Sequence, residues 1–329
     1  MIKSITVTNH TDDSITIDLK NPYDSGFIIE SIDGIGPVNA SVNFTELATN
    51  DGAVDNSARV SYRSITLSLL FVENPTIEAT RLNSYKYFPV KRNVTFMIET
   101  DSRICQTKGR VESNEPDIFS EKEGCQISIL CPDPYFYAAG PGALQETWFY
   151  GVDPRFEFEF GNEITYEAIQ DSKDEDILDS KSDPIIGTGL FTRELEMGET
   201  HEYTEGFVNY SGDSEIGVTI KIQAMGPITG LRIYDLSTRE IIMIYDNLLT
   251  EIIGSTIQEG DEITICTVRG KKKATLLRDG LERNIMNALG KQPGWFQLSK
   301  GNNHIAYTAE EGLYNIRFLV QNQVIYEGV

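Results

Sequence analysis

Apolar and polar residues alternate with a period of two along most of the chain, the pattern of strands with one face buried and the other wetted. Ile15, Ile17 and Leu19 show it first. It returns at Ile65, Leu67 and Leu69, at Phe156, Phe158 and Phe160, at Val218, Ile220 and Ile222, at Ile263 and Ile265, and at Ile316 and Phe318. Turn-forming groups separate the runs: Asn50-Asp51-Gly52, Gly212-Asp213, Glu259-Gly260-Asp261 and Lys300-Gly301-Asn302-Asn303. Many short strands at this spacing predict sandwiches or barrels. One segment departs from the pattern. Asn74 can cap a helix start, Pro75 suits its first position, Ala79, Leu82, Tyr85 and Phe88 follow at steps of three, and Pro89 stops it, so a single short helix is expected over about 75–88.

The strand from Gln126 to Cys131 runs into Pro132-Asp133-Pro134-Tyr135-Phe136, where two prolines end any regular element. After Gly140-Pro141-Gly142 the composition shifts, which places a boundary near residue 142 and divides the chain into 1–141 and 142–329. Between Tyr166 and Asp183 lies an acidic, poorly patterned stretch. Few apolar residues there could offset the entropy of ordering it, so it reads as a mobile surface loop or insertion.

Charge narrows the range of functions. The net charge is −22, and Glu157–Glu215 carries 17 acidic against 3 basic residues, a net −14. Such a surface repels phosphate backbones, and nucleic-acid binding is not expected. The basic run Arg269-Gly270-Lys271-Lys272-Lys273 falls between two strand-like segments and reads as a solvated hairpin tip. The first residues lack an apolar leader, and no stretch approaches the roughly 20 apolar residues of a membrane span, so neither export nor membrane insertion is expected. In that setting the Asn-x-Ser/Thr triplets at Asn9, Asn39, Asn43, Asn93 and Asn209 imply no glycans. Cys105, Cys125, Cys131 and Cys266 form no Cys-x-x-Cys pair and read as small buried or half-buried thiols.

No motif carries catalysis, and no cofactor or metal is expected. Ser214 in Gly212-Asp213-Ser214 would need a histidine base, and none of His10, His201 or His304 lies in a recognisable motif. Glu157 and Glu159, two apart on a strand, share one face and read as the wet side of buried phenylalanines rather than a glycosidase pair. Asp171–Asp183 lacks calcium-loop spacing.

The order of features in the first 140 residues resembles the distal tail proteins of long-tailed phages. The series runs Gly26-Phe27-Ile28-Ile29, Asp33-Gly34-Ile35-Gly36-Pro37, Asp51-Gly52, Arg63-Ser64-Ile65-Thr66-Leu67, the proline-started helix, Gly109-Arg110-Val111-Glu112 and Cys131-Pro132-Asp133-Pro134-Tyr135-Phe136. Asn209-Tyr210-Ser211-Gly212-Asp213, Gly260-Asp261-Glu262-Ile263-Thr264-Ile265, Phe296–Asn303 and Ile325-Tyr326-Glu327-Gly328-Val329 are similar to the galectin-like jelly roll that the same family carries.

The resemblance implies a mainly β protein: an N-terminal β-sandwich with one helix and an extended β-arm, then a galectin-like β-sandwich. It also implies a structural virion protein at the distal end of the tail, made in the host bacterial cytoplasm. Its N-terminal domains would form a hexameric ring joining the tail tube protein to the tail-associated hub protein below, and its C-terminal domains would support receptor-binding proteins or side fibres. An acidic ring lumen would keep passing DNA from sticking. Edge strands must pair or be covered, and a closed ring of head-to-tail contacts does this. The two long arms Val38–Leu47 and Ala53–Ser68, hinged at Asp51-Gly52, are expected to supply the pairing through Val38, Ala40, Val42, Phe44, Asp51, Gly52, Val60 and Tyr62. The alternative is a carbohydrate-binding adhesion module, with Trp148, Trp295 and Tyr307 as candidate stacking rings and Trp295 the foremost. The His, Asn and Arg set of galectins is missing around them.

Overall fold

The computed structural model describes residues 1–47, 51–153, 167–168, 186–187, 199–202, 204–291 and 293–329. The chain is mainly β, as the alternation predicts. In the N-terminal half the strands are β1 (Ile2–Thr8), β2 (Ser14–Asp18), β3 (Phe27–Asp33), β4 (Ala40–Glu46), β5 (Ala53–Val60) and β6 (Arg63–Phe71). Helix α1 (Ile77–Tyr87) follows, then β7 (Asn93–Thr100), β8 (Ile104–Asp117), β9 (Gly124–Cys131) and β10 (Phe136–Ala138). One antiparallel sheet runs in the order β2-β1-β7-β8-β9-β6-β3, and its outermost strands β2 and β3 touch, so a single sheet curls to supply both layers of the expected sandwich. Its inner face carries Ile5, Val7, Ile65, Leu67, Phe96, Ile98, Ile127 and Ile129, all fully buried. Leu19, the last residue of the first alternating run, falls beyond β2 and is exposed.

The helix exists but starts later and faces differently from expectation. Thr76 is the cap, its hydroxyl accepting from the Ala79 amide, while Asn74 instead donates to the Asp24 carbonyl. Leu82 and Tyr85 point outward, and Thr80, Ser84 and Phe88 point inward. A step of four tracks the 3.6-residue turn as well as a step of three does. Here polar anchoring decides: Thr80 Oγ1 donates to the Val72 carbonyl at 2.8 Å, and the close seat against Gly26 leaves no room for a larger side chain.

In the C-terminal half β11 (Leu144–Trp148) opens the chain of strands. Unit 150–203 is seen only in β12 (Tyr150–Asp153), β13 (Glu167–Ala168), β14 (Ile186–Gly187) and β15 (Glu199–Glu202), where β12 pairs β15 and β13 pairs β14. Most of the acidic stretch and Phe156, Phe158 and Phe160 lie outside the described residues. The remaining elements are β16 (Glu205–Tyr210), β17 (Ile216–Gly217), β18 (Thr219–Ala224), β19 (Arg232–Asp235), β20 (Glu240–Met243), helix α2 (Asp246–Ile253), β21 (Glu262–Cys266), β22 (Lys273–Arg278), β23 (Leu281–Asn284), β24 (Gln297–Leu298), β25 (Gly301–Thr308), β26 (Ile316–Gln323) and β27 (Ile325–Tyr326). Two sheets, β11-β26-β18-β21-β22-β23 and β16-β25-β19-β20, share one core built on Ile220, Ile222, Ile263, Ile265, Phe318, Val208, Ile233 and Ile305. The two cores meet at β10, where Phe136 belongs to the first and Ala138 to the second.

The four cysteines are free and buried. Burial pushes the Cys105 thiol up to about 11 and the Cys125 thiol up to about 12, and raises Cys131 as well. These groups stay protonated at pH 8, and only the thiolate attacks. The folded protein is expected to show almost no thiol reaction with Ellman's reagent at that pH, and all four residues to react in guanidinium. Rapid labelling of a native thiol would contradict this burial.

Candidate assembly site

β4 and β5 form a two-stranded sheet of their own, every residue of which is exposed. The register pairs Ala40 with Val60, Val42 with Ala58 and Asn43 with Ser57; a bulge follows, after which Phe44 faces Asp55. Alternation therefore puts Ala40, Val42, Phe44, Ala58 and Val60 on one face, with Asp55 opposite Phe44, and Ser41, Asn43, Ser57 and Arg59 on the other. On the polar face Asn43 donates to the Ser57 hydroxyl at 3.2 Å. On the apolar face Val42, Phe44 and Val60 are 43%, 61% and 41% exposed, with Tyr62 beyond them at 61%. A lone two-stranded ribbon is marginal in water, and among the described residues nothing covers the apolar side or either edge of this one. The expected pairing residues are thus brought together in one arm, with Asp51 and Gly52 at its tip, where Gly52 adopts a φ of +98°, and Val38 half-buried at its foot. The second predicted arm does not run on to Ser68: it leaves the ribbon at Val60, and β6 enters the main sheet.

At the root of the arm sits Arg63, 1% exposed. Its Nη1 donates to the carbonyls of Gly34 at 2.5 Å and Gly36 at 2.6 Å, Nε to Pro134 at 2.7 Å, and Nη2 to Glu327 at 2.6 Å. The guanidinium also lies 4.3 Å over the Phe136 ring. Burial pulls its pKa below the ordinary value, yet no carboxylate among the described residues pairs with it, and backbone carbonyls carry the solvation of the charge. Gly34, at a φ of +82°, must be glycine, because a Cβ there would lie 1.9 Å from the Ser64 carbonyl oxygen.

The final segment of the chain reaches this root from the other half. β27 pairs with β10, Val329 donates its amide to the Ile35 carbonyl at 3.1 Å, and Arg103 holds Gly328 O at 3.3 Å and Asp213 at 3.0 Å while stacking 4.3 Å over Tyr326. Sequence reasoning saw Arg63 only as part of an ordered motif. An arginine at the start of an alternating strand carries no local sign of burial, since its partners lie 27 to 264 residues away.

Asp213 is taken up by Arg103 and Lys300, and the Ser214 carbonyl accepts from the Tyr210 hydroxyl at 2.9 Å. Tyr307, a candidate sugar platform, is buried and stacked on Phe318 at 4.7 Å, so it belongs to the core. Trp295 packs against the same core with Lys272 Nζ 5.0 Å over its ring, and Trp148 is about half exposed on β11. The basic run forms the exposed turn between β21 and β22.

No protein-family model and no curated protein sequence matches the chain. The crystal structure of the SPP1 Dit protein, described as a paradigm of the hub adsorption apparatus in phages infecting Gram-positive bacteria, matches at 13% identity and a TM-score of 0.59, over 98% of this chain and 99% of that one. Over nearly its whole length the chain therefore has the fold of the SPP1 Dit protein, and the resemblance read from the ordered motifs holds at the level of the fold. Chains of the phage P2 baseplate in its activated conformation, with calcium and with strontium, also match at 11% identity, over 98% of this chain and 99% and 98% of theirs, with TM-scores of 0.42 and 0.39.

Proposed function

We propose that this chain is a structural virion protein of a phage tail tip, which assembles through its arm into a hexameric ring between the tail tube and the host-adhesion apparatus. The observation that carries the reading is the arm: an exposed ribbon with one apolar face, on a chain that shares the fold of the SPP1 Dit protein over nearly its whole length. Each arm covers its apolar face on the next copy, and six such contacts close the ring and remove the free edges. Residues 1–141 form the ring, and residues 142–329 face outward and support receptor-binding proteins or side fibres. The protein works by symmetric assembly, without catalysis or cofactor, and its place is the distal end of the tail, reached after synthesis in the host cytoplasm.

The test is the mass in solution by light scattering together with negative-stain images. Six-membered rings are expected as concentration rises. A monomer at every concentration, with and without the tail tube and hub proteins, overturns the ring.

A further inference from the structure

Both legs of the arm meet at one side chain. The entering leg leaves β3 through Gly34, Ile35 and Gly36, and the returning leg reaches β6 at Arg63 itself, whose guanidinium binds the Gly34 and Gly36 carbonyls. The strands of the arm are exposed along their full length, so among the described residues its direction is decided at this root.

The same guanidinium takes the Glu327 carbonyl, and two further contacts bring the tail to the entering leg: the Val329 amide on Ile35, and Gly328 against Gly36, where a Cβ would lie 3.2 Å from Gly36 Cα. On its other side the tail is fixed to the C-terminal sandwich. The Ile325 amide donates to the Tyr210 hydroxyl at 3.3 Å, and the Asp213 amide donates to the Ile325 carbonyl at 2.9 Å. A planar fork with donors in three directions can hold four carbonyls from three segments at once, which a lysine ammonium cannot.

We propose that Arg63 and the tail Ile325–Val329 form a joint that fixes the direction of the arm relative to the C-terminal sandwich. Arg63 is a positioning residue in this sense. A load on the C-terminal half moves the tail, the tail moves the Gly34–Gly36 leg, and the arm follows. For its consequence in assembly the joint rests on the ring reading, but the joint itself is a property of the single chain.

The test uses the full chain at concentrations where it is monomeric. Spin labels are placed on cysteines introduced at exposed Ser41, near the foot of the arm, and exposed Leu281, on β23; the native thiols are buried and do not compete. The parent protein is expected to give one narrow inter-label distance by pulsed dipolar spectroscopy. Arg63→Lys and Gly328→Val are each expected to lose it to a broad spread, with the far-ultraviolet dichroism of the β-sheets unchanged. A narrow peak kept in a folded variant of either kind overturns the joint, as does a broad spread in the parent. If Arg63→Lys does not fold, Gly328→Val decides. A protein that never forms rings but shows the narrow-to-broad change loses the ring reading and keeps the joint.

Discussion

Removing Val42–Val54 is expected to leave a folded protein that no longer closes into rings. Every described residue of that segment in β4 and β5 is exposed, so the curled sheet and the C-terminal sandwich lose no core contact with it. The association loses much more. Full burial of a Val or Phe side chain is worth about 1.5–3 kcal/mol, and because Val42 and Phe44 are already partly covered in the free chain, the loss from the two is on the order of 2–4 kcal/mol per contact. That corresponds to about one and a half to three powers of ten in each association constant, repeated at every contact of a ring that must close. The double substitution Phe44→Asp with Val60→Asp tests the same face without shortening the chain, since it places two carboxylates where an apolar partner is expected. Sedimentation velocity and negative-stain images read both variants. Intact rings from the deletion variant would show that ring closure does not use the arm.

How much of this was legible beforehand depends on the range of the interaction involved. The alternation at Ile65, Leu67 and Leu69, and at Val218, Ile220 and Ile222, marks residues that are buried in the structure, because side-chain direction along a strand is a local matter. The arm was legible for the opposite reason: its long polar-studded legs at Asn39, Ser41, Asn43 and Thr45 lack enough apolar content for two buried faces. The helix start was misread because Asn74-Pro75 and Thr76 offer competing caps, and the choice fell to a contact between Asn74 and Asp24 that the local sequence does not reveal. Helix α2 was missed although its signals are present. Leu248, Leu249, Ile252 and Ile253 recur at helical spacing, and Gly254 ends the helix at a φ of +89°. Among strong strand patterns, eight residues were too short to stand out. The joint at Arg63 was out of reach altogether, since its acceptors are backbone carbonyls, and any residue type can present a carbonyl.

Phe318→Ala is expected to cost about 3–5 kcal/mol, the range for emptying a buried phenylalanine site. Phe318 is fully buried at the centre of the C-terminal core. It stacks on Tyr307 at 4.7 Å and meets the edge of Phe149 at 5.0 Å, and it lies opposite Ile222 in the sheet register. Neighbours drawn from two strands in two sheets and from the bend at Phe149 cannot collapse into the space without breaking their own pairings, which places the cost toward the upper end of that range. At roughly 2–4 °C per kcal/mol for a unit of this size, the melting temperature of the C-terminal half should fall by roughly 6–20 °C. Calorimetry reads the fall, and a shift of only a degree or two would show that the aromatic cluster relaxes around the gap. The same variant also probes the division of labour. Below its lowered melting point the arm and the curled sheet are untouched, so rings should still form with a loosened C-terminal half. Loss of rings at a temperature where the variant is folded would place part of the ring contact after residue 142.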